Sequence, residues 1–155
     1  MGRALARQLS WDFVDLDQKI ERTAGTTIPE IFARYGEPGF RQREYAALSV
    51  LATMPRAVIS TGGGTFVQPK NRQLIQRTGT AIWLDPSFDL LWSRLTRSPK
   101  KRPLLGDREG THALWEERRS AYQQAPLRVE MQSEEPPDQV AESIVSELKE
   151  QPCAF

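Results

Sequence analysis

At 155 residues the chain has the size of one compact domain, and a domain of that size buries about two-thirds of its unfolded surface without disulfide or metal staples. One cysteine, Cys153, and one histidine, His112, exclude a disulfide framework and a Cys-rich zinc module, and argue against a histidine metal site or a Ser-His triad. Lys+Arg 21 against Asp+Glu 20 leaves a net charge of +1, which gives no basis for a nucleic-acid partner, and no apolar run approaches the roughly 20 residues of a membrane span. The N-terminal MGRALARQL is too short and too basic for a secretory segment, so the cytoplasm is the expected compartment; a monomer is also expected.

In chain order, the first β-type run is Phe13-Val14-Asp15-Leu16. Thr27-x-x-Glu30 then reads as a capping box, in which hydroxyl and carboxylate satisfy orphan N–H groups at a helix start. Behind it Ile28, Ile31, Phe32 and Tyr35 fall on one helical face, and Gly36 is expected to close the helix. Ala57-Val58-Ile59-Ser60 and Thr80-Ala81-Ile82-Trp83-Leu84 are nearly continuous apolar runs, expected as strands buried on both faces of a parallel sheet. Pro69 and Pro86 fit first-turn helix positions, and Gly79 follows the helix of residues 69–77. Leu127-Arg128-Val129-Glu130-Met131 is a fourth strand, and Val140, Ile144 and Leu148 form the core stripe of a last helix. Alternation of strand and helix gives one α/β domain over 1–155 with a parallel sheet.

Charge is uneven along the chain. Residues 94–108 carry six Lys/Arg and one Asp, with two prolines and a glycine; residues 130–150 carry seven acids and one Lys. The basic segment reads either as a solvated loop or as a lid over 94–110 that closes on a phosphate. Three smaller constellations bear on chemistry. Asp15-x-Asp17 ends the first strand, where both carboxylates would share a face at the carboxyl edge of the sheet. One could hold Mg²⁺ through water and the other take a proton from a hydroxyl; the competing reading is an Asp that caps the next helix. Ser60-Thr61-Gly62-Gly63-Gly64-Thr65 follows the second strand and is either a turn or a place where backbone approaches a ligand. Arg41, Arg102 and Arg118 offer planar forks suited to carboxylate or phosphate, although each alone is more often a surface residue than a ligand.

Taken together, Phe13-Val14-Asp15-Leu16-Asp17, Ile28-Pro29-Glu30-Ile31-Phe32, Gly36-Glu37-x-x-Phe40-Arg41-x-x-Glu44, Gly62-Gly63-Gly64, Arg102-Pro103-Leu104-Leu105 and Arg118-x-x-x-Tyr122 resemble the shikimate kinase family in order and spacing, from residue 2 to about 148. The resemblance implies a three-layer P-loop kinase fold with strand order 2-3-1-4-5, and transfer of a phosphoryl group from ATP to the 3-hydroxyl of shikimate. It assigns Asp17 to the reacting hydroxyl, Asp15 to Mg²⁺ through water, and Arg41 and Arg118 to the shikimate carboxylate. Gly63 and Gly64 would close over the ring hydroxyls, and Arg102 would reach the transferring phosphate. Arg97 (or Arg94) and Pro137 would lie against adenine.

One part of the family pattern is absent. No G-x-x-x-x-G-K-[ST] run occurs in the 155 residues, and such a run is what cradles nucleotide phosphates. Gly62-Gly63-Gly64 does not replace it, since no Lys follows. In the family, the segment just after that loop reads like Gly2-Arg3-Ala4-Leu5-Ala6, so the resemblance implies that the first strand and the phosphate loop are missing here. A start placed too late is the expected explanation, beside a real truncation or a fragment. The expectation is poor folding alone and no kinase activity. Two other readings stand beside the kinase: a non-catalytic shikimate-binding remnant, and another small-molecule kinase of this fold such as a gluconate kinase, against which the Arg41/Arg118 pair argues.

Overall fold

The structure, a computed structural model, describes residues 1–97 and 106–150. In chain order its elements are α1 (Gly2–Leu9), β1 (Asp12–Asp15), α2 (Leu16–Ala24), α3 (Ile28–Leu51), β2 (Ala57–Ser60), α4 (Pro69–Thr78), β3 (Ile82–Pro86), α5 (Phe88–Arg97), α6 (Arg108–Tyr122), β4 (Leu127–Met131) and α7 (Pro137–Glu150). The described residues form two compact units, residues 1–79 with 136–150, and residues 80–97 with 106–135.

In the first unit β1 pairs parallel to β2, with Phe13 opposite Val58 and Asp15 opposite Ser60. Leu16, Ile20, Ile31, Phe40, Ala47, Leu48 and Leu51 make its buried cluster, drawn from α2 and both halves of α3. The last helix packs on α1 through the expected stripe, with Val140, Ile144 and Leu148 all buried. In the second unit β3 pairs parallel to β4, with Trp83 opposite Arg128 and Asp85 opposite Glu130. Both are the α/β, parallel-strand pairings that the order 2-3-1-4-5 requires of its second and third, and of its fourth and fifth, strands. Among the described residues β2 bonds only to β1, and β3 only to β4. No helix among them is long and apolar enough to cross a membrane.

Several sequence expectations change in detail. The first strand ends at Asp15, because its carboxylate caps α2 by accepting the Gln18 N–H at 3.1 Å. Asp17 therefore lies in the first turn of a helix, not on a strand face shared with Asp15. Gly36 does not close its helix. Its backbone (φ 63°, ψ −174°) breaks α3, which resumes at once and runs to Leu51; this region of backbone space is essentially glycine's alone. Tyr35, just before the break, is exposed rather than on the apolar face. Pro69 opens α4 as expected, whereas Pro86 ends β3. Residues of β2 are half-buried or exposed, and β3 alternates between buried and half-buried positions. Neither strand is buried at every position, whereas the apolar runs had suggested burial on both faces. Arg94 and Arg97 belong to α5, and residues 108–110 to α6, so the basic run is not one loop. Its centre, residues 98–105 with Arg102, lies outside the described residues.

Candidate active site

In the first unit a short turn follows β2, closed by the Thr65 N–H donating to the Gly62 carbonyl at 3.1 Å. Two candidate side chains pack against its glycines. A Cβ built on Gly62 would stand 3.4 Å from Asp17 Oδ1. One built on Gly64 would stand 2.7 Å from Arg41 Nη2 and 2.9 Å from Nη1, closer than any real Cβ contact. Neither glycine has a positive φ. Gly64 is needed because the Arg41 guanidinium presses on it, not because the turn demands a left-handed residue, whereas at Gly62 an added Cβ would make an ordinary contact with Asp17. The turn thus gathers Asp17 from α2, Arg41 from α3, and Gly63 with Gly64 into one acidic and basic constellation.

Arg41 is held at both ends of its guanidinium. Nη1 donates to both oxygens of Glu44, at 3.2 and 3.0 Å, and Nε and Nη2 donate to Glu37 Oε1 at 3.1 and 2.9 Å. Glu44 is only 2% exposed. Its charge is tolerated because Thr65 Oγ1 donates to Oε1 at 2.8 Å and Asn71 Nδ2 to Oε2 at 3.1 Å, so each oxygen has a neutral donor besides the cation. Glu44 thereby joins α3, the glycine turn and α4. It stands in the sequence motif without an assigned role; its spacing of three from Arg41, on the same helix face, is the signal that points to a pair. Asn71, also 2% exposed, carries no such signal, since a polar residue in a helix's first turn reads as solvated.

Asp15 gives its cap bond to Gln18, so the capping reading of this residue holds. Among the described residues no group of three or more acidic, His or Cys side chains could enclose a metal ion. A single carboxylate fits an ion that keeps most of its waters and takes its other ligands from phosphates. Pro137, expected at a turn, is the first residue of α7.

The second unit holds the other candidates. Arg118 lies on α6 and hydrogen-bonds the Tyr122 hydroxyl one turn later; burial pushes that phenol above its usual range, against the lowering pull of the Arg118 charge. The neighbouring Arg119 takes no part in this. It donates to the buried Asp85 at 3.0 Å, and Arg128 donates to the same carboxylate at 2.6 and 2.9 Å. Both cations lie on the Trp83 ring, 5.2 and 5.0 Å from its centre. This clamp fixes the rotation of α6 on the β3–β4 pair; Arg118, about 100° round the helix, is thereby turned to a different side. Arg97 ends α5, bonded to the Ser93 hydroxyl at 2.7 Å and paired with Glu134.

The family pattern described as "Shikimate kinase" matches residues 1–149. The chain belongs to the shikimate kinase family. A shikimate kinase of Cereibacter sphaeroides is 47% identical over 133 residues, covering 84% of this chain and 66% of that protein. A Synechococcus shikimate kinase is 40% identical over 159 residues, covering 98% of this chain and 84% of its own. Among solved structures, the shikimate kinase of Acinetobacter baumannii in complex with shikimate has a TM-score of 0.90 at 32% identity, over 98% of this chain and 86% of that one. The Aquifex aeolicus shikimate kinase has a TM-score of 0.84 at 33% identity, over 99% and 90%.

Proposed function

We propose that these residues form the acceptor side of a shikimate kinase site, where the 3-hydroxyl of shikimate receives a phosphoryl group from ATP in the biosynthesis of aromatic compounds. The observation that carries this reading is the pairing of Asp17 and Arg41 across one glycine turn, in a chain of this family. A carboxylate and a cation on one turn suit a ligand with a hydroxyl to deprotonate and a carboxylate to hold.

In this reading Asp17 orients the attacking hydroxyl and takes its proton. Arg41 grips the substrate carboxylate through the fork that Glu44 keeps aligned, and Arg118 contributes a second charge to the same carboxylate. Gly63 and Gly64 bring backbone close to the ring hydroxyls. Arg102 and Arg97 serve the nucleotide, with Pro137 near the adenine. Asp15 would hold Mg²⁺ through water, and the ion would neutralise phosphate charge. The phosphate cradle itself, G-x-x-x-x-G-K-[ST], is not among these 155 residues, so on their own they support acceptor binding rather than turnover. A cytoplasmic monomer remains the expected state.

The test is Asp17→Asn in a polypeptide that carries these residues together with a phosphate loop. Turnover should be lost while the melting transition stays. Near-normal kcat would remove Asp17 from the mechanism.

A further inference from the structure

Arg41 meets two carboxylates of opposite character. Glu44 is 2% exposed and anchored by Thr65 and Asn71. Glu37 is 51% exposed, four residues before Arg41 at the restart of α3 after the Gly36 break. Between them they occupy Nε, Nη1 and Nη2. An arginine has five N–H donors in a fixed fork, and an incoming carboxylate needs two adjacent ones for a bidentate grip. One resident carboxylate must therefore leave. Glu44 would abandon two neutral donors in a buried place, whereas Glu37 swings into water.

We infer that Glu37 is a place-holder carboxylate: it occupies the Arg41 edge that the substrate carboxylate takes, and binding exchanges one for the other. The inference rests on the assignment of shikimate's carboxylate to Arg41. It makes Glu37 a residue that lowers affinity while keeping Arg41 paired in the empty site. A ligand without a charge offers Arg41 no replacement for the pair it must break, so the exchange also favours anionic ligands over neutral ones.

The experiment measures the shikimate Kd by calorimetry for the chain, for Glu37→Gln and Glu37→Ala, and for Glu30→Gln. The last removes the same charge from the same helix; Glu30 bonds Thr26 and Thr27, not Arg41. Exposed ion pairs are weak, so the two Glu37 variants should bind about two- to fivefold more tightly, with Glu30→Gln unchanged. A crystal structure with shikimate should show Glu37 released from Arg41 and Glu44 still bonded. Weaker or unchanged binding in both Glu37 variants overturns the exchange and makes Glu37 a mere support; equal tightening in Glu30→Gln reduces it to general charge. If the folded parent chain does not bind shikimate at all, the acceptor-site reading itself fails, and Glu37 falls with it.

Discussion

Gly64 and the guanidinium of Arg41 are in such close contact that a single added methyl would lie 2.7 Å from Nη2 and 3.2 Å from Cζ. The end of an arginine can usually swing aside, but this one is held by the buried Glu44. Gly64→Ala should therefore push Arg41 out of line while leaving the β1–β2 pair and the core intact. Loss of one charge-assisted contact, roughly 1.5–3 kcal/mol, weakens shikimate binding by about tenfold or more. Calorimetry beside a thermal melt checks this. An unchanged Kd would separate the glycine turn from Arg41's role.

Glu44 is the buried charge on which that alignment depends. Glu44→Gln keeps the volume but turns an amide donor toward Arg41, Thr65 or Asn71, all of which donate to Glu44 now. Breaking a buried pair from one side costs roughly 3–5 kcal/mol, and Thr65→Val, which removes one neutral bond, should cost about 1 kcal/mol. Urea unfolding of the three proteins gives the order. A Glu44→Gln loss under about 1 kcal/mol would mean that the carboxylate is not the junction described.

Much of this site can be read from residue types and spacing. Asp17, Arg41 and Gly64 stand in motifs, and the structure brings them to one turn. What spacing misses is set by tertiary contact or by competition between local structures. Asp15 and Asp17 alternate like strand residues, yet the gain from capping α2 ends β1 between them. Gly36 looks like a helix stop, but Phe40, Ala47, Leu48 and Leu51 beyond it are core residues, so burial restarts the helix after one glycine-only backbone step. The partners of Glu44 come from residues 65 and 71, and no local pattern connects them to it. The apolar runs of β2 and β3 read as strands buried on both faces, yet β2 is half-buried or exposed and β3 is buried only at alternate positions, because composition does not say which helices cover a strand.

The capping box of α3 makes a pH prediction. Glu30 Oε2 accepts from the Thr26 hydroxyl at 2.5 Å, the Thr27 N–H at 2.9 Å and the Thr27 hydroxyl at 2.8 Å. These donors, Thr26 first, hold its carboxyl at about 2, below the usual 4.5. A value lowered by folding means that ionised Glu30 stabilises the folded chain above 4.5, and that the contribution is lost as pH falls toward 2. The stability gap between the chain and Glu30→Gln should thus be largest near neutral pH and shrink by about pH 3. Urea unfolding at both values, with NMR titration of the Glu30 side chain, checks it. A midpoint near 4.5 would contradict the three-donor cap.

The final prediction concerns phosphoryl transfer by residues 1–155 alone. Catalysis of this transfer is almost wholly positioning and charge stabilisation. The backbone cradle and lysine of G-x-x-x-x-G-K-[ST] supply both, and these residues contain no such run. Gly62-Gly63-Gly64 is already occupied by Asp17 and Arg41 and brings no lysine. The 155-residue polypeptide should therefore release no ADP in the presence of shikimate, even at high ATP. Adding a family-like strand and phosphate loop before Gly2 should restore turnover. It should also sharpen unfolding, because among the described residues β2 and β3 each bond to a single strand, and an added strand would pair backbone groups at their open edges. Both polypeptides are purified, melted and assayed for ADP side by side. Robust ADP release from residues 1–155 would place the nucleotide at a site built from other residues and remove the phosphate loop from the account.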